Sequence, residues 1–207
     1  MEQQFMKTAF FDFDGVIVDT EPIYDIYWNE AGERYQTGIP NFASHIKGTT
    51  LPYILDKYFS DRSEEFKEMV TRESMDFEQK MPFPPVPGAM EFIHLLKGKG
   101  VKVGLVTSSD NAKLERAFRL LKLDNLFDTV VSADRITKGK PDPMCYQLAA
   151  SDLHVSPADC LVFEDSFAGI QAGTNAGMRV IGLSTTNSEE SLKDKVYQVI
   201  PDFQNIT

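Results

Sequence analysis

The sequence has few of the features that mark secreted, membrane or nucleic-acid-binding proteins. It contains only two cysteines, Cys145 and Cys160, whose spacing fits no metal motif, so we expect reduced thiols. There is no apolar run of about 18 residues, and residues 1–7 lack the apolar region of a signal peptide. Acidic residues outnumber basic ones by 31 to 21, and no basic stripe is present to neutralise phosphates. We therefore expect a cytoplasmic protein that binds neither membranes nor nucleic acids.

The composition is that of a globular protein with a substantial core. Hydrophobic residues make up 42% and charged residues 25% of the 207 residues. This length suits one large domain, or one domain that carries an insertion. No long exposed apolar stripe demands a partner, so a monomer is expected.

Strand and helix patterns alternate in two parts of the chain, residues 1–18 and 86–207. Short apolar runs predict strands at residues 7–13, 101–106, 129–132, 160–163 and 180–183. Helical periodicity falls between them, at residues 89–97, 111–121, 143–150 and 167–176. Such alternation is typical of a parallel sheet covered on both faces. The sequence therefore predicts an α/β core with a doubly wound parallel sheet.

An all-helical insertion is predicted between these two parts, at residues 19–85. Its periodic segments are helical throughout, and it ends in the connector that contains Pro82, Pro84, Pro85 and Pro87. The insertion begins after the end of the first strand. Since ligands of doubly wound sheets bind at the carboxyl ends of the strands, we expect it to act as a lid.

Polar residues follow four of the predicted strands, and the topology brings these strand ends to one edge of the sheet. They are Asp12 and Asp14; Thr107, Ser108 and Ser109; Lys140; and Glu164 and Asp165. Carboxylates so close together repel one another unless a cation is present, and Mg²⁺ prefers such oxygen ligands. Thr107 and the amides at a helix start can bind a phosphate, towards which Lys140 supplies positive charge. An aspartate left free could attack phosphorus and form an acyl phosphate.

The four motifs together resemble the haloacid dehalogenase superfamily, in order and in spacing. The segments that carry the resemblance are Asp12-x-Asp14-Gly15-Val16 followed by Asp19-Thr20-Glu21-Pro22, then Thr107, Lys140-Pro141 and Glu164-Asp165, and together they cover nearly the whole chain. The resemblance implies a Rossmann-like core and a phosphoric monoester hydrolase.

The same resemblance implies a role for each motif residue. Asp12 would be the nucleophile, and Asp14 the general acid/base that also lends its backbone carbonyl to Mg²⁺. Thr107, Ser108 and Lys140 would bind the phosphoryl group. Mg²⁺ would be held by Asp12, Asp14, Glu164 and Asp165.

The insertion resembles the helical cap of the subgroup that contains β-phosphoglucomutase and small-molecule phosphatases. Lys47 and His45 lie in or near the segment similar to the substrate-facing loop of such caps, and Tyr24 near the cap's start is a third candidate for substrate contact. Two other interpretations stay open: a solvated surface lysine for Lys47, and helix packing for Tyr24.

The function that this pattern favours is a Mg²⁺-dependent phosphatase acting on a small phosphorylated metabolite such as a sugar phosphate. The main alternative is β-phosphoglucomutase. Tyr24 stands where that enzyme's histidine is expected, and Leu51 where a phosphate-binding arginine is expected, which favours hydrolysis. A phosphoacceptor signalling domain would need no long insertion, and a catalytically inactive binding protein would not retain every catalytic position.

Overall fold

The structure is a computed structural model that describes residues 7–46, 51–204 and 206. It divides into two compact units. The first, the helical unit, is Thr20–Pro82; the second, the sheet unit, is formed by the residues up to Asp19 and from Phe83 onwards.

The helical unit contains α1 (Glu21–Arg34), α2 (Phe42–Ile46), α3 (Leu51–Tyr58) and α4 (Glu64–Glu78), and every regular element among its described residues is a helix. Ser63 caps α4 by accepting a hydrogen bond from the amide of Phe66. The unit has an aromatic core of its own, in which Phe42 contacts Trp28 and Phe59 edge to face. Helix α2, only five residues long, is the element here that periodicity did not predict.

In the part of the chain that the structure describes, the sheet unit is built on six strands: β1 (Thr8–Phe11), β2 (Lys102–Val106), β3 (Thr129–Val131), β4 (Cys160–Glu164), β5 (Arg179–Leu183) and β6 (Gln198–Ile200). Their order is β3-β2-β1-β4-β5-β6, and every neighbouring pair is parallel. The chain winds outwards from β1 through β2 and β3, returns to β4 and winds the other way. The predicted doubly wound α/β fold is confirmed.

Among the described residues, five helices accompany these strands: α5 (Ala89–Gly98), α6 (Asn111–Leu121), α7 (Met144–Asp152), α8 (Phe167–Asn175) and α9 (Glu189–Leu192). Helix α5 packs against β2, α7 against β2 and β3, α8 against β4 and β5, and α9 against β6. Two short 3₁₀ turns lie at Ala133–Arg135 and Pro157–Asp159. Strand β6 and helix α9 were not predicted from the sequence.

Adjacent residues of β1 show that the sheet is covered on both faces. Phe10 packs on the ring of Tyr146 in α7, with centroids 6.4 Å apart. Phe11 points the other way, stacks on Phe163 at 4.6 Å and meets Phe92 of α5 edge to face. Both phenylalanines are fully buried. The central strand therefore contributes to two cores, as the near-continuous apolar sequence of a parallel strand requires. Among the described helices of the whole chain, none has the length and apolar character needed to cross a membrane.

Candidate active site

Two of the predicted site residues sit immediately beyond the ends of neighbouring strands. The amide of Asp12 donates a hydrogen bond to the carbonyl of Phe163 at 3.0 Å, and the amide of Thr107 donates to the carbonyl of Val131 at 2.9 Å. Each residue thus prolongs its strand's hydrogen bonding by one step. This anchors the side chains of Asp12 and Thr107 at the carboxyl edge of the sheet, where both are buried.

Lys140 joins the ends of β1 and β4 through one ammonium group. Its Nζ donates to Oδ1 of Asp12 at 2.7 Å, to Oε1 of Glu164 at 2.5 Å and to the carbonyl of Val106 at 3.3 Å. Only 6% of the lysine side chain is exposed. Burial alone would lower the pKa of Lys140, but the charges and hydrogen bonds of Asp12 and Glu164 outweigh it and raise the pKa above the usual lysine value.

Glu164 is a fully buried carboxylate that is satisfied by hydrogen-bond donors on both oxygens. Besides Lys140, Oε1 accepts from the hydroxyl of Tyr146 at 3.0 Å. Oε2 accepts from the amide of Asp165 at 3.1 Å, and from the amide and hydroxyl of Ser166 at 3.2 and 3.0 Å. Ser166 also caps α8, since its hydroxyl oxygen accepts from the amide of Gly169. These donors offset the cost of burying the charge.

The carboxyl group of Asp12 has a strongly altered affinity for its proton. Burial raises the pKa of Asp12 to about 7, because desolvation outweighs the opposing charge of Lys140, and the negative charge of Glu164 adds to the increase. A further positive charge beside Asp12 would favour the carboxylate form.

The structure gathers three of the four predicted acidic residues into a group that can hold a metal ion. Asp12, Glu164 and Asp165 each offer one carboxylate oxygen, and these three atoms lie within 4.8 Å of one another. All three side chains are buried. An all-oxygen, anionic donor set is the chemistry that Mg²⁺ prefers, so these residues fit the predicted cation.

The loop after β5 donates hydrogen bonds to Asp165 and to Gly15 of the first motif. The hydroxyl of Thr186 donates to Oδ2 of Asp165, and the side-chain amide of Asn187 donates to the carbonyl of Asp165 at 2.9 Å. Thr185 donates to the carbonyl of Gly15 at 2.6 Å. Gly15 has a φ of +77°, and a Cβ there would overlap the carboxylate of Asp165. Only glycine therefore suits this close approach.

The fourth acid, Asp14, has its carboxylate outside that group. Oδ2 accepts from the hydroxyl of Ser109 at 2.9 Å, and Nζ of Lys113 donates to both oxygens at 2.8 Å. The carboxylate of Asp14 is thus paired with a lysine and a serine. Its predicted contribution to the metal through the backbone carbonyl stays a prediction.

The remaining predicted residues fall in two places. Thr107 is buried and its hydroxyl oxygen accepts from the amide of Ser109 at 3.0 Å, while its neighbour Ser108 is exposed. In the helical unit, Tyr24 donates to Glu78 at 2.9 Å and His45 is exposed on α2. Lys47 lies outside the described residues. The three helical-unit predictions therefore stay predictions.

Several polar residues of the site were not predicted from the sequence. They are Lys113, Tyr146 and the Thr185-Thr186-Asn187 run. The hydrogen bond from Ser109 to Asp14 was not predicted either. The signal for the Thr185-Thr186-Asn187 run was available: the rule that polar residues follow strand ends applies to β5 as well as to β1, β2 and β4. Lys113 and Tyr146 lie inside helical patterns, where no local signal separates them from ordinary helix residues.

Comparison with known families agrees with this geometry. The family model described as haloacid dehalogenase-like hydrolase matches residues 9–183. The chain therefore belongs to the haloacid dehalogenase-like hydrolases, and the resemblance read from the four motifs is confirmed.

Individual relatives resemble the chain over most of its length. It is 33% identical to a phosphorylated carbohydrates phosphatase from Thermotoga maritima, over 86% of this chain and 85% of the relative. It is also 33% identical to a β-phosphoglucomutase from Bacillus subtilis, over 86% of this chain and 83% of the relative. A crystal structure of a HAD hydrolase of family IA, variant 3, from Entamoeba histolytica superimposes with a TM-score of 0.85 at 26% identity, covering 98% of this chain and 96% of that one.

Proposed function

We propose that this protein is a Mg²⁺-dependent phosphatase that hydrolyses a small phosphorylated metabolite, a sugar phosphate, through a phosphoaspartate on Asp12. The observation that carries the proposal is the contact of Asp12 with Lys140 at 2.7 Å, beside the acidic group of Asp12, Glu164 and Asp165. An ammonium group and a cation-binding cluster at one carboxylate are suited to an anionic substrate. The phosphatase among the named relatives supports the same class of reaction.

In the first step, Asp12 attacks the phosphorus atom in line with the ester oxygen. The bond from phosphorus to the ester oxygen breaks as the bond to the Asp12 carboxylate forms. Asp14 donates a proton to the departing oxygen, so the alcohol leaves neutral. Lys140, the hydroxyl of Thr107 and the amides that follow it bind the phosphoryl oxygens and neutralise their charge.

In the second step, water attacks the phosphorus atom of the phosphoaspartate. Asp14, now a carboxylate, takes a proton from the water, and the bond between phosphorus and Asp12 breaks. Inorganic phosphate is released, the carboxylate of Asp12 is restored and Asp14 is again protonated. Asp14 therefore acts as an acid in one step and as a base in the next.

Mg²⁺ would be held by Asp12, Glu164, Asp165 and the backbone carbonyl of Asp14. When bound, it supplies positive charge that stabilises the developing charge on the phosphoryl oxygens. The residues of the protein keep the tasks given above: Asp12 attacks, Asp14 moves the proton, and Lys140 and Thr107 bind the phosphoryl group.

We assign the choice of substrate to the helical insertion, with Tyr24, His45 and Lys47 as the proposed contacts. A cap that covers the strand ends would exclude bulk water and select the alcohol part of the ester by its own side chains. Exchange of these three residues for alanine would test the assignment by the change in preference among esters.

Phosphoryl transfer of the β-phosphoglucomutase type is the second candidate, because that relative is as similar to the chain as the phosphatase is. A mutase must bind a second phosphate on its substrate. Tyr24 and Leu51 occupy the positions where histidine and arginine were expected, and leucine offers no charge to a phosphate. The sequence of the helical unit therefore favours hydrolysis.

One experiment separates the two candidates and narrows the substrate. The purified protein is incubated with Mg²⁺ and a panel of phosphorylated metabolites that includes pyrophosphate, and β-glucose 1-phosphate with its bisphosphate activator. Released inorganic phosphate and isomerised sugar phosphate are measured together. Release of phosphate from a sugar phosphate without isomerisation supports the proposal, whereas isomerisation without release would establish the mutase.

A further inference from the structure

Asp14, the residue to which proton transfer is assigned, is held by two side chains that lie about a hundred positions further along the chain. Ser109 in the loop after β2 donates to Oδ2 at 2.9 Å. Lys113 in α6 donates to Oδ1 and Oδ2, both at 2.8 Å. Only 10% of the lysine side chain is exposed. The contact is therefore a largely enclosed one in which three hydrogen bonds converge on one carboxylate.

The backbone at the start of α6 is fixed at two points, and this determines where Lys113 can reach. The carboxylate of Asp110 caps the helix by accepting from the amide of Lys113 at 2.9 Å. The amide of Asn111 donates to Asp134 at 2.7 Å. Long side chains in the first turn of a helix extend back towards its N-terminus. Here that direction leads to the strand ends and to Asp14.

A lysine in the first helical turn works against the stability of the helix itself. The N-terminal end of a helix carries partial positive charge, which favours acidic residues and disfavours an ammonium group. The carboxylate of Asp14 compensates for this charge from outside the helix. The position of Lys113 is therefore explained by its contact with Asp14 and not by helix propensity.

We propose that Lys113, assisted by Ser109, is a positioning residue that fixes the orientation of the Asp14 carboxylate. The inference rests on the proposed function in taking Asp14 as the group that moves the proton, and it adds the residues that keep this group in place. A carboxylate on a turn can rotate about its side-chain bonds. Two bonds from one ammonium and a third from a hydroxyl hold the ionised carboxylate, the form that acts as the base in the second step, in one orientation. Small displacements of a reacting group are costly in rate.

Each of the two aspartates of the first motif is thus paired with a different lysine. Lys140 donates to the attacking Asp12, and Lys113 donates to Asp14. Lys113 acts through Asp14 and not on the phosphoryl group. Its loss is therefore expected to lower kcat while leaving KM within about threefold of the wild-type value, since substrate binding does not depend on it.

The test compares K113M with K113R, S109A and the control R119M, which changes an exposed cation of the same helix. We expect K113M to lower kcat by about 100-fold, K113R to restore part of the loss, and R119M to have no effect. Each substitution at 113 is also made in a D14N background. If Lys113 acts through Asp14, K113M changes the residual kcat of D14N by less than about threefold. The proposal would be overturned if K113M lowered the kcat of D14N by the same factor as it lowers that of the wild type, or if K113M changed KM and not kcat.

A crystal structure of K113M supplies a readout that does not depend on turnover. The expected result is an Asp14 carboxylate that is displaced or split between conformers, with Asp12 and Lys140 in their wild-type positions. An Asp14 side chain with unchanged orientation would refute the positioning role. If the wild-type protein hydrolysed no phosphate ester, the proposed function would fail, whereas this structural result would still decide the role of Lys113.

Discussion

The carboxylate of Glu164 lies so close to the α-carbon of Gly169 that a Cβ at that position would overlap it. Gly169 is in the first turn of α8 and Glu164 is the last residue of β4. The missing side chain of the glycine is what allows the helix to begin directly beside the buried acid. The acid in turn holds Lys140, so a helix residue without any functional group helps to determine the geometry of the site.

Substitution of Gly169 by alanine should therefore disturb Glu164 and the lysine bound to it. We expect G169A to lower the free energy of unfolding by about 1–3 kcal/mol. We also expect its kcat to be lower than that of the wild type under conditions in which both proteins are folded, so that lost stability does not explain the fall in activity. Gly98, in the last turn of α5, is a matched control because a Cβ there meets no atom within 4 Å. G98A should be neutral or stabilising by up to about 1 kcal/mol. Urea unfolding and steady-state kinetics of the two variants make the comparison, and equal behaviour would contradict the steric argument.

The sequence was sufficient to predict that Asp12, Lys140, Glu164 and Asp165 would meet. Parallel strands bring their carboxyl ends to one edge, so a polar residue after each apolar run is placed by topology alone. The order and spacing of the four motifs supported the same prediction. The doubly wound parallel sheet followed from the same alternation of strands and helices, whereas the order of its strands was not predicted.

The supporting contacts could not be predicted, because they depend on packing between distant segments. Lys113 meets Asp14 only because the fold brings the start of α6 beside the first motif, and in the sequence it looks like any other lysine near a helix start. Tyr146 is an apolar-face residue by periodicity, and only the fold shows that its hydroxyl reaches Glu164.

Replacement of Asp12 by asparagine should remove turnover while the fold survives. The amide is close in size to the carboxyl and can still accept a hydrogen bond from Lys140, but it does not attack phosphorus. We expect kcat to fall by at least about 1000-fold for any ester that the wild-type protein hydrolyses. Circular dichroism and the melting temperature serve as the control for folding. Retention of more than a few per cent of the activity would remove Asp12 from the role of nucleophile.

Removal of divalent cations should abolish activity reversibly. We expect this because the carboxylates of Asp12, Glu164 and Asp165 lie close together and repel one another without a cation. Burial also disfavours the charged form of Asp12. A chelator should stop phosphate release, and Mg²⁺ in excess should restore it, whereas Ca²⁺ should restore it poorly because it favours longer bonds and more ligands. Phosphate release that continues unchanged in the chelator would exclude a metal-dependent reaction.

The hydroxyl of Thr186 should matter for cation affinity, because it donates to the same carboxylate of Asp165 that belongs to the acidic group. Partners that orient a metal ligand typically account for about 10–100-fold in affinity. We expect T186V to raise the Mg²⁺ concentration for half-maximal thermal stabilisation and activity by about that factor. T186S keeps the hydroxyl and is the matched control. If T186V and T186S have the same Mg²⁺ dependence, Thr186 plays no part in preparing Asp165.

The pairing of Asp152 with Arg135 predicts a pH-dependent contribution to stability that involves none of the candidate site residues. The hydrogen bond from Arg135, at 2.8 Å, lowers the pKa of Asp152 below its ordinary value despite partial burial, and Thr129 at the start of β3 donates to the same oxygen. A lowered pKa means that the folded state favours the carboxylate. The stabilisation is therefore present above the unfolded pKa of about 4 and is lost as the pH falls through the folded value.

D152N should accordingly destabilise the protein at neutral pH and have a diminishing effect in acid. The side chain of Arg135 is 40% exposed, so solvent screens the pair and we expect a difference of no more than about 1 kcal/mol at pH 7. Urea unfolding of D152N and wild type at a series of pH values from about 7 down to 2.5 measures the difference. D124N, which changes an exposed aspartate in the loop after α6, is the control. A difference that stayed constant over this range would show that Asp152 stabilises β3 through its hydrogen bonds alone, and not through its charge.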